Sequence, residues 1–164
     1  VNVWCGLIND KLVGPYILDG ALNGVTYLQF LQDTLPELLE DIPIQTRTKM
    51  FYQHDGEPPH RSCDVVRLLR NRYGGKIIAH RGPVHWPPRS PDLTPMDFFL
   101  WGHMKAEVYK NKPQTRVELI ERILNVTQTI RDNPAMIRAA TSSLLKRARL
   151  CRDQNGGHFE NLLD

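Results

Sequence analysis

The sequence predicts a mixed α/β fold, a sheet flanked by helices. Three observations carry this. The chain opens with two strand-like runs joined by a tight turn. Two short apolar segments, Lys49–His54 and Lys76–His80, lie on either side of a helical pattern, as in a β-α-β unit. From Thr94 onward the periodicity is helical. A length of 164 residues suits one domain of ordinary size.

The elements follow in order. Val1–Ile8 alternates Val1, Val3, Cys5 and Leu7 against Asn2, Trp4 and Gly6, which is the period of a half-buried strand. Asn9-Asp10-Lys11 is a turn signal, so Leu12–Leu18 returns as the second strand of a hairpin, and Pro15 marks it as an edge. A helix starts at Asn23 and presents Tyr27, Leu28, Leu31, Leu35, Leu38 and Leu39 at helical spacing, with Pro36 kinking or dividing it. Lys49–His54 ("KMFYQH") is a short apolar-rich run that ends at Asp55-Gly56. Ser62 caps the next helix, whose inner face is Val65, Val66 and Leu69 with Tyr73, and Gly74-Gly75 ends it. Lys76–His80 ("KIIAH") is another strand. A loop stiffened by Pro83, Pro87, Pro88 and Pro91 leads to a helix from Thr94 to about Tyr109. Two further helices cover about Gln114–Arg131 and Pro134–Asp153.

The chain is 41% hydrophobic and 24% charged, values ordinary for a globular protein, and its formal net charge is +3. So small an excess does not by itself argue for nucleic acid; the placement of the charges has to. Cys5, Cys63 and Cys151 are dispersed and odd in number, which suits a reducing compartment better than a disulfide framework. No apolar run approaches the ~20 residues of a membrane span, and no stretch reads as a signal peptide. The first residues, "VNVWCGLI", begin within a strand-like run and read as a cut edge, whereas "GGHFENLLD" reads as a natural end.

Two acids stand out. Asp55 lies where a buried strand gives way to a loop, the position at which sites form in open α/β sheets. Asp97 lies inside "SPDLTPMDFFLWG", an otherwise apolar run behind a proline-rich loop, with Thr94 as N-cap, Pro95 at N1 and Asp97 at N3. Each has a purely structural explanation. An acid at N3 stabilises a helix by ~0.3–1 kcal/mol through its dipole, and Asp-Gly is a turn pair. The stretch between them is long enough for a helix, a strand and a return loop, so both carboxylates can face one point. At ~4 Å such a pair repels by ~4 kcal/mol at an effective dielectric of 20. It then needs a proton or a cation, and hard oxygen ligands suit Mg²⁺ or Mn²⁺. Two such ions activate a nucleophile and stabilise the leaving oxygen in phosphodiester attack.

The wording "HDGEPPH" followed by "WPPRSPDLTPMDFFLWG" resembles the catalytic domain of mariner-like transposases, of the DDE/DDD superfamily with a ribonuclease-H-like fold. The resemblance extends over nearly the whole chain, through "VNVWCGLI", "ILDGALNGVTYLQFLQDTLPELLED" and "CRDQNGGHFENLL". It implies that Asp55 and Asp97 are the second and third acids of a metal-binding triad and that both are catalytic. It also implies a two-metal site for Mg²⁺ or Mn²⁺, DNA strand cleavage and strand transfer in the intact protein, a homodimer on DNA, and a nuclear location. The family's first acid sits on a central strand ahead of the hairpin. On that expectation the chain is an N-terminally truncated core, with residues 1–112 the incomplete ribonuclease-H-like part and 113–164 its C-terminal helical extension. It is expected to be inactive alone and marginally stable. Neither Asp10 nor Asp19 replaces the first acid, because one lies in the hairpin turn and the other matches a non-ligand position.

His54 and Glu57 stand where relatives tend to have Gln and Ala. Glu57 is either an accessory ligand or drift, and His60 orients the loop after Asp55. His54, His60, Cys63, His80 and His85 match no zinc pattern. Arg61, Arg67, Arg70, Arg72, Lys76, Arg81 and Arg89 surround the expected site, and Arg138, Lys146, Arg147, Arg149 and Arg152 lie on the last helix. They read either as phosphate contacts or as solvated helix faces. Trp86 either stacks on a base or anchors its loop. No helix-turn-helix module is present to choose a DNA site. Two other readings stand beside the transposase fragment: a domesticated or decayed module that binds nucleic acid or protein without catalysis, and an α/β domain with no metal chemistry.

Overall fold

The structure, a computed structural model, describes residues 1–80, 82–86 and 90–163. The chain forms two compact units, one of Val1, Val3–Ile17 and Ser90–Asp164, the other of Asn2 and Leu18–Arg89.

The first unit is built on the hairpin of β1 (Asn2–Ile8) and β2 (Lys11–Leu18), which form a two-stranded sheet. The link is only Asn9-Asp10, with Asn9 at φ 56°, and so short a link requires antiparallel strands. Gly14 sits at φ 86°, and a Cβ there would lie 2.9 Å from the Trp4 carbonyl oxygen, so no other residue fits. Three helices follow: α5 (Gly102–Val108), α6 (Arg116–Arg131) and α7 (Pro134–Asp153). Their apolar stripes meet the hairpin in one core of Cys5, Leu12, Leu100, Met104, Val108, Ile123, Ile130 and Ile137. Leu100, Met104 and Val108 recur at i, i+4, i+8, and Ile123, Thr127 and Ile130 at i, i+4, i+7, the spacing of one helix face. The buried Thr127 hydroxyl donates back to the carbonyls of Ile123 and Leu124, each at 2.8 Å, and so carries no unpaired polar group into the core. Polar contacts fasten the hairpin to the helices: the Arg131 guanidinium to the Gly14 carbonyl, Arg138 to Asp10 at 2.5 Å, and the Thr141 hydroxyl to the Asn9 carbonyl at 2.6 Å.

The second unit holds α1 (Gly24–Gln29), α2 (Leu35–Leu38), α3 (Ile44–Lys49), α4 (Cys63–Tyr73) and a three-stranded parallel sheet of β3 (Tyr52–Gln53), β4 (Ile77–Ala79) and β5 (Val84–His85), in that order. Asn23 caps α1 with a full capping box, Oδ1 accepting from the N–H groups of Val25 (2.9 Å) and Thr26 (3.0 Å) while the Thr26 hydroxyl accepts from Asn23 N–H at 2.9 Å. Ser62 caps α4, and Gly74, at φ 58°, ends it. Tyr27, Phe30, Leu31, Leu35, Val65, Leu69, Ile77 and Ala79 are buried.

Between α1 and α2 the chain widens into a π-helical stretch, Phe30–Thr34, in which Leu35 N–H donates to Phe30 C=O. The cause lies one residue on. In that register the Leu31 carbonyl belongs to residue 36, a proline with no N–H to give. The Arg72 guanidinium on α4 donates to it instead, at 2.5 Å. Pro36 therefore alters the helix as expected, and Arg72, a basic residue near the expected site, serves the fold. Helix α3 was not foreseen: none of its residues is buried, so it leaves no apolar stripe to read.

Candidate active site

Asp55 follows the parallel pair β3–β4. Tyr52 N–H donates to Lys76 C=O at 2.9 Å and His54 N–H to Ile78 C=O at 3.1 Å, so the ladder ends one residue before the acid, at the carboxyl end of the strand. Its Oδ1 accepts the Glu57 N–H at 3.1 Å and lies 2.6 Å from His60 Nδ1. The His60 hydrogen bond first, then the Glu57 N–H and the charge of the two histidines, hold the carboxyl below its ordinary 3.8 against the opposing effect of burial. Asp55 is therefore an anion near neutrality, with both bonds drawn to one of its oxygens. Pro58–Arg61, a 3₁₀ turn, brings His60 back to it.

Beneath this pair lies an aromatic platform. His60 stacks on His54 with centroids 4.8 Å apart and planes 10° apart, and sits 4.6 Å from the Tyr27 ring. His54 meets Tyr52 edge-on at 5.6 Å, and Tyr52 stacks on Tyr73 at 5.1 Å. The hydroxyls of Tyr27 and Tyr52 are 2.9 Å apart. Burial pushes both phenols well above their usual range. Burial first, and His60 second, push the His54 imidazole down to about 4, so it is neutral at pH 7, and its Nδ1 is buried with no partner among the described residues. Sequence reasoning missed the platform. One signal was readable: Tyr52 and His54, two apart on a strand, share a face. Nothing local ties Tyr27 to His60.

Asp97 lies in the first unit and is exposed. The regular helix expected from Thr94 is instead a π-helical segment, Met96–Trp101, that runs on into α5. The Thr94 carbonyl accepts the first bonds, from Asp97 N–H at 2.9 Å and Phe98 N–H at 3.0 Å, while the Thr94 hydroxyl donates to Ser90 C=O at 3.4 Å. The correction has a packing reason. Met96, Phe98, Phe99, Leu100 and Trp101 are all at least partly buried, more than one narrow stripe accommodates. Met96, Phe99, Leu100 and Trp101 join the core, and Phe98 lies under the Arg147 guanidinium at 3.8 Å. Asp97 is the one residue of the six that is exposed.

The structure thus gathers Asp55, Glu57 and His60 in one loop and places Asp97 in the other unit. Among the described residues no group of three or more His, Cys, Asp or Glu is arranged to hold an ion. Asp55 is held ionised and Asp97 is exposed, and a carboxylate is the ligand type that hard cations take. Glu57 is exposed and gives Asp55 its backbone N–H. Of the basic candidates, Arg61 is exposed and Arg67 pairs with Asp64 at 3.0 Å. Lys76 donates to the Thr48 carbonyl, Lys146 to the Leu163 carbonyl at 2.8 Å, and Arg147 to the Asp92 carbonyl at 2.9 Å. Trp86 is partly buried, its backbone N–H on the Ala79 carbonyl at 3.2 Å. Arg81 and Arg89, with Pro87 and Pro88, lie outside the described residues.

Solved structures resemble this arrangement over nearly its whole length. A Mos1 transposase catalytic domain with raltegravir and Mn matches at a TM-score of 0.78, with 16% identity, over 97% of this chain and 82% of that one. This chain has the fold of a mariner/Tc1-like transposase catalytic domain. That transposase fold is ribonuclease-H-like, a mixed α/β architecture as the element order predicted. The Mos1 domain with raltegravir and Mg matches at 0.73 (19% identity; 93% and 73% covered), and the Mos1 mariner paired-end complex with Mn at 0.78 (18% identity; 96% and 44% covered). In sequence, the chain is 27% identical over 150 residues to the Tc3 transposase of Caenorhabditis elegans, covering 89% of this chain and 42% of that protein. It therefore spans less than half the length of that transposase. No protein-family model matches it. No helix among the described residues is long and apolar enough to cross a membrane.

Proposed function

We propose that this chain supplies two metal-binding carboxylates, Asp55 and Asp97, to a transposase that cleaves and rejoins DNA strands with Mg²⁺ or Mn²⁺. The observation that carries the reading is the state of Asp55: a carboxylate kept ionised at the carboxyl end of a parallel strand, in a fold whose solved neighbours include Mos1 catalytic-domain structures with Mn and with Mg. The two acids would hold the cation from a strand end and a helix start. When bound, the metal supplies Lewis-acid activation of a water or 3′-hydroxyl and stabilises the leaving oxygen.

The chain's own groups set the stage for that chemistry. His60 and the Glu57 N–H keep Asp55 deprotonated and orient it, and the platform of His54, Tyr27 and Tyr52 fixes His60. Phe99, Leu100 and Trp101 hold the turn that bears Asp97. Arg61 and Arg67, both exposed, are candidates for phosphate contact, with Arg81, Trp86 and Arg89 further candidates for DNA contact and Glu57 an accessory ligand. DNA ends and target as substrates, a homodimer and a nuclear location complete the reading, on the model of a paired-end complex known for Mos1. Two acids fall short of the three that the family resemblance requires, so we expect no strand cleavage from these 164 residues alone.

The test is a strand-nicking assay on the full-length protein. Asp97→Ala is expected to lower Mn²⁺-dependent cleavage by at least a thousandfold while DNA affinity stays within about twofold. Cleavage at the wild-type rate would remove Asp97 from the site. Calorimetric titration with Mg²⁺ that gives no heat for the full-length protein would favour an α/β domain without metal chemistry.

A further inference from the structure

Arg147 lies on α7, far in sequence from Asp97, yet its contacts converge around that acid. Its guanidinium carbon sits 3.8 Å over the ring of Phe98, the residue next to Asp97. Nη1 donates to the Asp92 carbonyl at 2.9 Å, in the 3₁₀ turn Pro91–Leu93 that leads into the acid-bearing segment. The same nitrogen lies 3.5 Å from Glu160 Oε1 in the C-terminal segment. That segment is itself anchored: Phe159 is wholly buried, and Lys146 binds the Leu163 carbonyl at 2.8 Å. The Arg147 side chain is only 14% exposed and its Nε is buried without a partner among the described residues. An arginine that is to bind phosphate needs N–H groups open to it, whereas here Nη1 is committed to the Asp92 carbonyl and lies beside Glu160. This one is desolvated, and a desolvated cation persists only where its contacts offset that cost.

We propose that Arg147 is a positioning residue: it clamps the turn before Asp97 and the ring after it, and ties both to the C-terminal segment, so that it sets where the Asp97 carboxylate points. This role rests on the reading of Asp97 as a metal ligand, and it replaces phosphate contact as the function of Arg147. The guanidinium suits the task because it is planar: one face stacks on Phe98 while its edge donates to a carbonyl and meets a carboxylate. Lysine, a compact point charge, cannot do all three.

The experiment is NMR on the chain as it stands, following amide hydrogen exchange and the Asp97 side-chain carboxyl resonance in Arg147→Met, Arg147→Lys and Glu160→Gln. Arg147→Met keeps the stem and loses the charge. It is expected to raise exchange at Phe98–Trp101 at least tenfold and to shift the Asp97 resonance, while amides at Ile123–Ile130 stay within twofold. Arg147→Lys recovers part of both effects, and Glu160→Gln moves them the same way by less. If Arg147→Met does not fold, Glu160→Gln and Arg147→Lys still give the readout. Unchanged exchange and an unmoved Asp97 resonance would overturn the proposal. So would a uniform rise across the whole first unit, which marks a merely structural residue. Unchanged exchange together with weakened binding to a nonspecific duplex, the salt slope falling by about one, would restore the phosphate contact. Adding Mn²⁺ tests the underlying reading separately. In the full-length protein, an Asp97 resonance that Mn²⁺ does not broaden removes Asp97 as a ligand, while the exchange data on the chain still decide what Arg147 holds.

Discussion

His54 stands beside the acid yet carries no charge at neutral pH, because burial and the stacked His60 both oppose its protonation. This has a consequence for stability. In the metal-free chain an unfolded His54 takes up a proton near 6.5, the folded one only near 4. Stability from this group is complete above pH 6.5 and drains away as pH falls toward 4, since the unfolded state binds the extra proton. Asp55 acts in the same direction lower down: its folded value lies below 3.8, so its contribution holds above that and is lost as pH falls through the lowered value. Between pH 7 and pH 5 the histidine alone accounts for up to about 2 kcal/mol. Urea titrations at the two pH values should show that loss in the wild type and a clearly smaller one in His54→Gln. Equal losses would mean that His54 is solvated in the folded chain. The pairing of Asp55 with His60 was foreshadowed in the sequence, since both sit in one short motif with turn chemistry around it. The neutrality of His54 was not, because it depends on a tyrosine-lined platform assembled from α1, β3 and α4.

Two π-helical segments shape the elements, Phe30–Thr34 and Met96–Trp101, and each has a nameable cause. In the first, Pro36 removes the donor that the Leu31 carbonyl needs, and Arg72 replaces it from another helix. Arg72→Met should therefore cost about 1–3 kcal/mol, the penalty for a buried carbonyl left unsatisfied. In a Pro36→Ala background the restored N–H should reduce that cost by at least half. Additive costs in chemical denaturation would show that the two residues do not share a carbonyl. Helix starts were legible here. Asn23, Ser62 and Pro134 mark observed N-termini because caps and first-turn prolines act on N–H groups within three residues of themselves. Helix α3 was not legible, and neither was the change of helical register at Asp97, which answers to how many neighbouring side chains the core accepts.

In the hairpin unit of the molecule, Leu100 links the acid-bearing segment to a core shared by the hairpin and α5, α6 and α7, and it is fully buried. Leu100→Ala should destabilise the chain by about 2–5 kcal/mol, with the larger values if the void does not collapse. Hydrogen exchange should show loosening concentrated in the hairpin and the three helices. A cost below ~1 kcal/mol would mean that the segment bearing Asp97 is held by something other than this core. Strand alternation, helix caps, proline punctuation and a distinctive acid-bearing motif were all present in the linear order of residues, and they were enough to predict a mixed α/β fold and to single out Asp55 and Asp97. Each of those signals acts over a few positions, so it survives in the sequence. The donor for the Leu31 carbonyl comes from 41 residues away and the clamp on the Asp92 carbonyl from 55. Contacts of that reach leave no periodicity behind, because they depend on which surfaces the packed elements bring face to face.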